Sequence, residues 1–244
     1  MRPAAATEKQ LPAIKALVFD VYGTCVDYWS TIVSQGEAIS RKLGVEIDWQ
    51  MVTREWAAYP PSFTAILQGK RAWESFAALR RASLEEILRR HGISGLGVDD
   101  IDEIDAIWLR LQPWADTRPG LQRLKNSFLL ATLGNADMAD IVRLVKANSL
   151  PFDAILTAEL ARSVKPDPKV YALAPQFLAL QPDEIMMVAC HKVDLHGARA
   201  AGLRTAFVSR PAELGPIGKL DTSVDEQFDL NCGSFEELAG LMGA

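Results

Sequence analysis

The sequence has few cysteines and no long hydrophobic run, and both shortages exclude whole classes of protein. Its 244 residues contain only Cys25, Cys190 and Cys232, and no two of these have the spacing of a zinc knuckle or a disulfide framework. The longest apolar run near the N-terminus, Ala16–Phe19, is far too short for a signal-peptide core or a membrane span. We therefore expect a protein of the reducing cytoplasm, neither exported nor anchored to a membrane.

Basic residues are also fewer than acidic residues. Lysine and arginine number 26 against 31 aspartates and glutamates, which gives a net charge of −5, and the basic residues form no block. A surface that follows nucleic-acid phosphates is therefore not expected. Hydrophobic residues make up 49% of the chain, enough to bury a sizeable core. The expected partner is a small molecule, rather than a nucleic acid or a membrane.

Short aliphatic runs alternate with helical periodicity over much of the chain. Such runs, closed by turn residues, are typical of buried parallel strands, and apolar residues three and four apart are typical of helices. The predicted strands are Ala16–Phe19, Ser127–Leu133, Ala154–Leu156, Ile185–Cys190 and Thr205–Ser209. The predicted helices between them are Gly120–Lys125, Met138–Asn148, Val170–Leu178 and Asp194–Ala201. This order predicts an α/β fold with a doubly wound parallel sheet.

Residues 28–112 follow a different pattern, with almost no strand signal. Their long amphipathic stretches are Ile32–Leu43, Met51–Ala58, Ala72–His91 and Asp99–Leu111. We expect a helical cap inserted after the first strand, so that residues 1–27 and 113–244 form the core domain. Four aromatic residues near the first helices of this insertion either line an apolar pocket or pack in its core. They are Trp29, Trp56, Tyr59 and Phe63.

Polar residues follow several of the predicted strands, where ligands bind in open α/β sheets. Asp20 follows the first strand, Asn135 the second, Lys165 lies in the loop after the third, and His191 and Asp194 follow the fourth. Asn135 and Asp194 also suit the alternative role of helix cap. The carboxylate that ends the first strand is less easily explained as a helix cap. A glycine follows three residues later and argues against a helix that begins directly after the strand. A buried carboxylate is costly without a partner, and the lysine is the evident counter-charge.

Four short segments, in this order, carry a resemblance to a known family. They are DVYGT at 20–24, TLGN at 132–135, VKPDPKVY at 164–171 and VACHKVD at 188–194. Together they resemble the four signatures of the haloacid dehalogenase superfamily, and the first and third are similar to those of the 2-haloacid dehalogenases. The resemblance implies a Rossmann-like core with a helical cap. It also implies hydrolysis of short 2-haloalkanoic acids, of the haloacetate or (S)-2-haloacid type, to 2-hydroxy acids through an aspartyl ester.

The resemblance also implies catalytic roles for individual residues. Asp20 would be the nucleophile that displaces halide from C2, and Thr24 would hydrogen-bond it, although a threonine here also suits a turn cap. Lys165 would keep that carboxylate ionised, the alternative being a surface lysine before a proline turn. Asp194 would position or activate the water that hydrolyses the ester.

Five further residues are expected to contact the substrate. Asn135 and, from the cap side, Arg54 would contact the departing halide, although an arginine on an amphipathic helix is often simply solvated. Tyr171 would orient the lysine or the substrate, unless it is a core tyrosine. Backbone groups near Tyr22 would hold the substrate carboxylate, and His191 would be a donor to carboxylate or halide, unless it is a satisfied buried histidine.

Two other functions stay open at the level of sequence. A magnesium-dependent phosphatase of the same superfamily would resemble D-x-D in the first motif, whereas the chain has Tyr22 there and only Asp194 as a carboxylate in the fourth motif. A catalytically silent binding protein is the other alternative, because Gly134 and Ala189 replace hydroxyl donors that the dehalogenases use. We expect no metal and no organic cofactor. The apolar cap helices are compatible with a homodimer.

Overall fold

The computed structural model describes residues 13–58, 61–216, 218 and 220–244. The start of the predicted core domain, residues 1–12, and the predicted pocket residue Tyr59 lie outside the described residues. The strands are β1 (Ala16–Phe19), β2 (Val26–Asp27), β3 (Gln112–Pro113), β4 (Leu129–Gly134), β5 (Ala154–Thr157), β6 (Ile185–Ala189), β7 (Arg204–Val208) and β8 (Leu230–Cys232).

Helices fill most of the remaining described chain. In the insertion they are α1 (Tyr28–Leu43), α2 (Trp49–Ala57), α3 (Pro61–Leu67), α4 (Phe76–Arg90) and α5 (Val98–Asp105), followed by a 3₁₀ helix at Ala106–Arg110. In the core they are α6 (Thr117–Leu124), α7 (Met138–Ala147), α8 (Pro168–Tyr171), α9 (Leu173–Leu178), α10 (Lys192–Ala200) and α11 (Phe235–Leu241), with short 3₁₀ helices at Ala158–Ala161 and Pro182–Glu184. In the described part of the chain, no helix is long and apolar enough to cross a bilayer.

The main sheet confirms the predicted α/β fold. Six parallel strands lie in the order β5-β4-β1-β6-β7-β8, so the first strand of the described chain is at the centre. The chain builds one side of the sheet from β1 to β5 and then crosses to the other side with β6. The carboxyl ends of β1, β4 and β6 therefore meet at the point where the strand order reverses, which is where such sheets bind ligands.

The sheet is buried on both faces, as continuous aliphatic strands require. Alternate residues of β1 enter different clusters: Leu17 and Phe19 pack on one side, and Ala16 and Val18 on the other. The Phe19 ring meets Phe235 of α11 edge to face, with ring centroids 5.4 Å apart. Burial of a side chain of this size stabilises the fold by about 1.5–3 kcal/mol.

The insertion is attached to the core by a short antiparallel pair and by polar contacts. Strands β2 and β3 pair just before and after its helices. Its first helix begins at Tyr28, where the Asp27 carboxylate accepts a hydrogen bond from Ser30 N at 2.9 Å. From the core, the Asp137 carboxylate accepts from the backbone N–H of Phe76 and Ala77, at 3.0 and 2.8 Å. A core carboxylate therefore caps α4, as the positive N-terminal end of a helix favours.

Candidate active site

Asp20 lies immediately after β1 and keeps the backbone pairing of the sheet. Its N–H donates to Val188 O at 3.0 Å, and the chain then turns at Gly23, whose φ is +80°. The turn brings Thr24 back over the carboxylate, where its hydroxyl donates to Oδ2 of Asp20 at 2.8 Å. The side chain of Asp20 is thus held at the edge of the sheet by the strand before it and the turn after it.

Lys165 lies between two buried carboxylates. Its Nζ is 3.3 Å from Oδ1 of Asp20 and 2.5 Å from Oδ2 of Asp194. Its backbone N–H donates to Oδ1 of Asn135 at 2.8 Å, which ties the loop carrying the lysine to the end of β4. Burial alone raises the pKa of Asp20, but the Lys165 ammonium and a hydrogen bond from His191 hold that pKa below its usual value. The carboxylate is therefore ionised at neutral pH.

Asp194 lies in the first turn of α10 and receives a second donor. The Tyr171 hydroxyl donates to its Oδ1 at 2.8 Å and lies 3.1 Å from its backbone oxygen. Gly197 makes room for this ring, since a Cβ there would lie 2.5 Å from Oη of Tyr171. Burial and the nearby Asp20 charge raise the pKa of Asp194, and the Lys165 ammonium offsets part of this. Asp194 is thus the less acidic of the two carboxylates that share the lysine.

His191 joins Asp20 to a carboxylate that belongs to none of the four motifs. Its Nδ1 lies 3.2 Å from Oδ2 of Asp20, and its Nε2 lies 2.7 Å from Oε1 of Glu213. Burial lowers the pKa of His191, but the Cys190 sulfur and hydrogen bonds to Asp20, Cys190 and Glu213 raise it well above its usual value. The imidazole is accordingly charged at neutral pH and donates to both carboxylates.

A cavity of about 750 Å³ opens above these groups, between the core and the insertion. Its polar lining includes Asp20, Tyr22, Arg80, Asn135, Lys165, His191, Asp194 and Glu213. Its apolar lining includes Tyr28, Trp56, Phe63, Phe76, Leu79 and Trp108. The predicted apolar wall therefore contains Trp56 and Phe63, whereas Trp29 is buried and is not among the lining residues. A few convergent polar groups in an apolar cavity are typical of a small-molecule site.

The predicted site residues differ in how they meet this cavity. Asp20, Tyr22, Asn135, Lys165, His191 and Asp194 line it. Thr24 and Tyr171 are fully buried, are not among the lining residues, and contact Asp20 and Asp194 instead. Both are therefore placed to act on a carboxylate rather than on a substrate.

The structure does not bring Arg54 to the site, and this corrects the expected contact from the cap side. The Arg54 side chain is exposed on α2 and is not among the cavity-lining residues. Arg80 of α4 lines the cavity instead, with Nε and Nη2 on Asp105 at 2.9 Å and Nη1 on Asp140 at 2.8 Å. Packing of α2 on its neighbours turns the helix so that Val52, Thr53 and Trp56 are buried and the arginine faces solvent.

The donor set around Asp20 does not fit a magnesium ion. Magnesium needs oxygen ligands in near-octahedral geometry, whereas Lys165 and His191 point nitrogen donors at the two oxygens of this carboxylate. Cys190, His191 and Glu213 offer ligand atoms within 4.8 Å of one another. Burial raises the pKa of the Cys190 thiol to about 11, and the thiol donates to Glu213. In this arrangement the thiol and the imidazole both donate to the Glu213 carboxylate.

Comparison with known proteins places this arrangement in a family. The family model for the haloacid dehalogenase-like hydrolases matches residues 14–202, which include all four motifs and the cavity-lining insertion. The chain belongs to the haloacid dehalogenase-like hydrolases. Among curated members, (S)-2-haloacid dehalogenase H-109 of Pseudomonas putida is 29% identical over 209 residues, which cover 81% of this chain and 86% of that protein.

Two solved haloacid dehalogenase structures are similar over almost the whole chain. The L-2-haloacid dehalogenase PA0810 is 35% identical with a TM-score of 0.91, and the match covers 95% of this chain and 99% of that one. The defluorinating L-2-haloacid dehalogenase Rha0230 is 33% identical with a TM-score of 0.91, covering 95% and 96%. The shared fold therefore includes the helical insertion as well as the sheet.

Two residues of this haloacid dehalogenase-like site were missed in the sequence. Glu213 follows the carboxyl end of β7, and the rule that ligands bind at strand ends could have pointed to that loop. Arg80 lies on an amphipathic helix with several other arginines, and no spacing distinguishes it from them. Its role depends on Asp140, which is 60 residues away in the chain.

Proposed function

We propose that the protein hydrolyses short 2-haloalkanoic acids, of the haloacetate or (S)-2-haloacid type, to 2-hydroxy acids, with Asp20 as nucleophile. The observation that carries the proposal is the Asp20 carboxylate, which lies in the lining of an apolar cavity and is kept ionised by Lys165 and His191. A carboxylate attacks an alkyl halide carbon without needing a base. The relatives described above are named as 2-haloacid dehalogenases.

The hydrogen bonds to Asp20 suggest which oxygen attacks. Oδ2 accepts from Thr24 at 2.8 Å and lies 3.2 Å from Nδ1 of His191, whereas Oδ1 has the more distant Lys165 ammonium at 3.3 Å. Oδ1 is thus the better nucleophile. Its lone pair forms the bond to C2 while the C2–halogen bond breaks, and the halide leaves with that electron pair. Oδ2 becomes the carbonyl oxygen of the resulting ester.

Water then releases the product by attack on the ester carbonyl carbon, Cγ of Asp20. Asp194 is the candidate base for this water, because its carboxylate lies beside the nucleophile on the other side of Lys165. Collapse of the tetrahedral intermediate breaks the Cγ–Oδ1 bond and yields the 2-hydroxy acid. Each turnover consumes one water molecule and releases one halide ion and one proton.

The cavity wall suggests how the substrate is held. Trp56, Phe63 and Phe76 supply apolar surface for the alkyl group. Asn135, Arg80 and backbone groups near Tyr22 supply the polar contacts for carboxylate and halide. Closure of the insertion over this cavity as a cap would exclude water during displacement, which favours attack by the carboxylate.

Halide release tests the proposal directly. We would assay fluoro-, chloro- and bromoacetate and both enantiomers of 2-chloropropionate, with fluoride included because Rha0230 is named as defluorinating. A generic phosphate ester, with and without magnesium, tests the phosphatase alternative. We expect halide release from at least one acid, and its loss in Asp20→Asn, with the exposed Asp99→Asn as a matched control. Release from no acid would contradict the proposal.

A single turnover in heavy-oxygen water tests the nucleophile. The label should first enter Asp20, because water attacks the ester carbonyl rather than C2. In Asp194→Asn the ester should accumulate, and intact-protein mass spectrometry should show a gain equal to the acid minus its halogen. Label found directly in the hydroxy acid during the first turnover would mean that water displaces the halide itself.

The same proposal covers the domain division, the cellular location and the oligomeric state of the enzyme. We propose residues 28–112 as the cap domain, a cytoplasmic location, and an arrangement compatible with a homodimer. The short β2–β3 pair that brackets the insertion supports the first, and three free buried cysteines support the second. Size-exclusion chromatography with light scattering would measure the oligomeric state.

A further inference from the structure

His191 is held between two carboxylates, one on each ring nitrogen. Its Nδ1 faces Oδ2 of Asp20 at 3.2 Å, and its Nε2 faces Oε1 of Glu213 at 2.7 Å. Carboxylate oxygens only accept, so both ring nitrogens must donate for the two contacts to be hydrogen bonds. An imidazolium meets that requirement.

Glu213 is fixed in this position by its surroundings. The residue is 2% exposed, and its Oε2 accepts from the Cys190 thiol at 3.3 Å. Gly23 allows its approach to the turn after β1, because a Cβ at this glycine would lie 2.2 Å from Oε1. The carboxylate is therefore part of a packed site rather than a mobile surface group.

We propose, on the basis of the dehalogenase function above, that Glu213 is a positioning residue that keeps His191 charged and aimed at Oδ2 of Asp20. His191 and the Thr24 hydroxyl then stabilise the negative charge that develops on Oδ2 when water attacks the aspartyl ester. Both donors already converge on this one oxygen, at 3.2 and 2.8 Å. Donors that point at a developing charge accelerate such steps by about 10²–10³-fold each.

A charged donor fits the local sequence. Gly134 and Ala189 carry no hydroxyl, so those positions supply no side-chain donor near the nucleophile. A hydrogen bond with an ionised donor or acceptor is about twice as strong as one between two neutral groups. The His191 imidazolium therefore replaces neutral donors that these two positions lack, and the Glu213 carboxylate stabilises its charge.

The proposal gives ester hydrolysis a limit on the alkaline side. The titratable side chains that interact with His191 are Asp20, Cys190, Glu213 and Tyr28, and Lys165 neutralises Asp20 from its other oxygen. In the ester Asp20 carries no charge, so the Glu213 carboxylate on Nε2 is the group that keeps the His191 ring protonated during hydrolysis. Hydrolysis should fall as pH rises and the ring loses its proton, whereas the first displacement of halide should depend on this proton much less.

Glu213→Gln separates the charge from the shape of the side chain. The alkaline limb is the decline in the rate of ester hydrolysis at high pH. We expect the midpoint of this limb and the midpoint of the His191 ring titration, followed by NMR, to move together to lower pH. At pH values above the new midpoint the rate of hydrolysis should fall at least about 10-fold, and the ester should accumulate. At pH values below that midpoint the rate should stay near that of wild type. The chain has only three histidines, so a His191→Gln spectrum assigns the resonance. The matched control is Glu55→Gln, which removes the partner of His91 at 3.1 Å on the insertion and should change neither readout.

Two outcomes would overturn the proposal. One is an unchanged limb with an unchanged His191 titration in Glu213→Gln, and the other is an equal loss of activity at all pH values, as a merely structural role would give. If Glu213→Gln does not fold, His191→Gln decides: it should slow ester hydrolysis and abolish the alkaline limb, and retention of that limb contradicts the proposal. Failure of the function itself is distinct, because wild type would then release no halide.

Discussion

The ammonium of Lys165 lies 2.5 Å from Oδ2 of Asp194 in a buried ion pair. The same ammonium lies 3.3 Å from Asp20, so one positive charge serves two carboxylates. Two such carboxylates do not have equal acidity. The pKa of Asp194 lies above its usual value because of burial and the nearby Asp20 charge. The pKa of Asp20 lies below its usual value because the Lys165 ammonium and the His191 contact outweigh the effect of burial. This asymmetry assigns the two groups different steps in the proposed reaction.

Protonation of Asp194 should therefore cause the acid limb, which is the decline in the turnover rate at low pH. As pH falls, Asp194 gains a proton before Asp20 does and can no longer accept one from water. We expect steady-state turnover to decline at low pH, while single-turnover halide release persists. Tyr171→Phe removes a donor to the Asp194 carboxylate at 2.8 Å, which raises the pKa of that group further, so the limb should move to higher pH. Turnover and halide release that decline together would contradict this assignment.

Substitution by lysine should have different effects at Arg80 and at Arg54. Arg80→Lys loses the planar fork that bridges Asp105 and Asp140, so halide release should fall by about 10-fold or more and thermal stability should drop. Arg54→Lys is the matched control, because that side chain is exposed and does not line the cavity. Steady-state assays and thermal unfolding measure both effects. A loss in Arg54→Lys with normal Arg80→Lys would mean that the insertion contacts the substrate from α2.

The indole of Trp108 offers a buried donor next to the substrate cavity. Its Nε1 has no hydrogen-bond partner among the described residues, and the ring packs against Tyr22, Tyr28 and Trp56. If this N–H binds the halide or the carboxylate, Trp108→Phe should lower kcat/KM by about 10-fold, because the bonded group is charged. Trp73 is the control: its Nε1 is also buried without a partner among the described residues, but it does not line the cavity. Equal effects of the two substitutions would refute a substrate contact.

A metal chelator should leave halide release unchanged. Nitrogen donors face both oxygens of Asp20, and Tyr22 stands where a magnesium-dependent relative would carry a second carboxylate. The measurement compares halide release after dialysis against EDTA with release after addition of magnesium. Activity that disappears with EDTA and returns with magnesium would replace the dehalogenase proposal by a metal-dependent one.

Much of the fold could be predicted from the sequence because its signals are local. The central strand Ala16–Phe19 was predicted with its observed bounds, since a short apolar run closed by a turn is typical of a buried parallel strand. Strand β8 was missed because its three residues, Leu230–Cys232, are too few to form a pattern. Helix α3 was missed as well, because Pro61–Leu67 is short and lies between longer amphipathic stretches.

The sequence by itself determined which polar residues meet at the candidate site, because parallel strands end at one edge and their polar C-terminal residues must meet there. Asp20, Asn135 and His191 follow from that rule, and the order of the four motifs added Lys165. Only the tertiary structure decided which distant groups complete the site. The pairing of His191 with Glu213 spans 22 residues, and the choice of Arg80 over Arg54 depends on how each helix is turned by packing. Such contacts are set by the three-dimensional arrangement of elements, and a local pattern of residues carries no record of them.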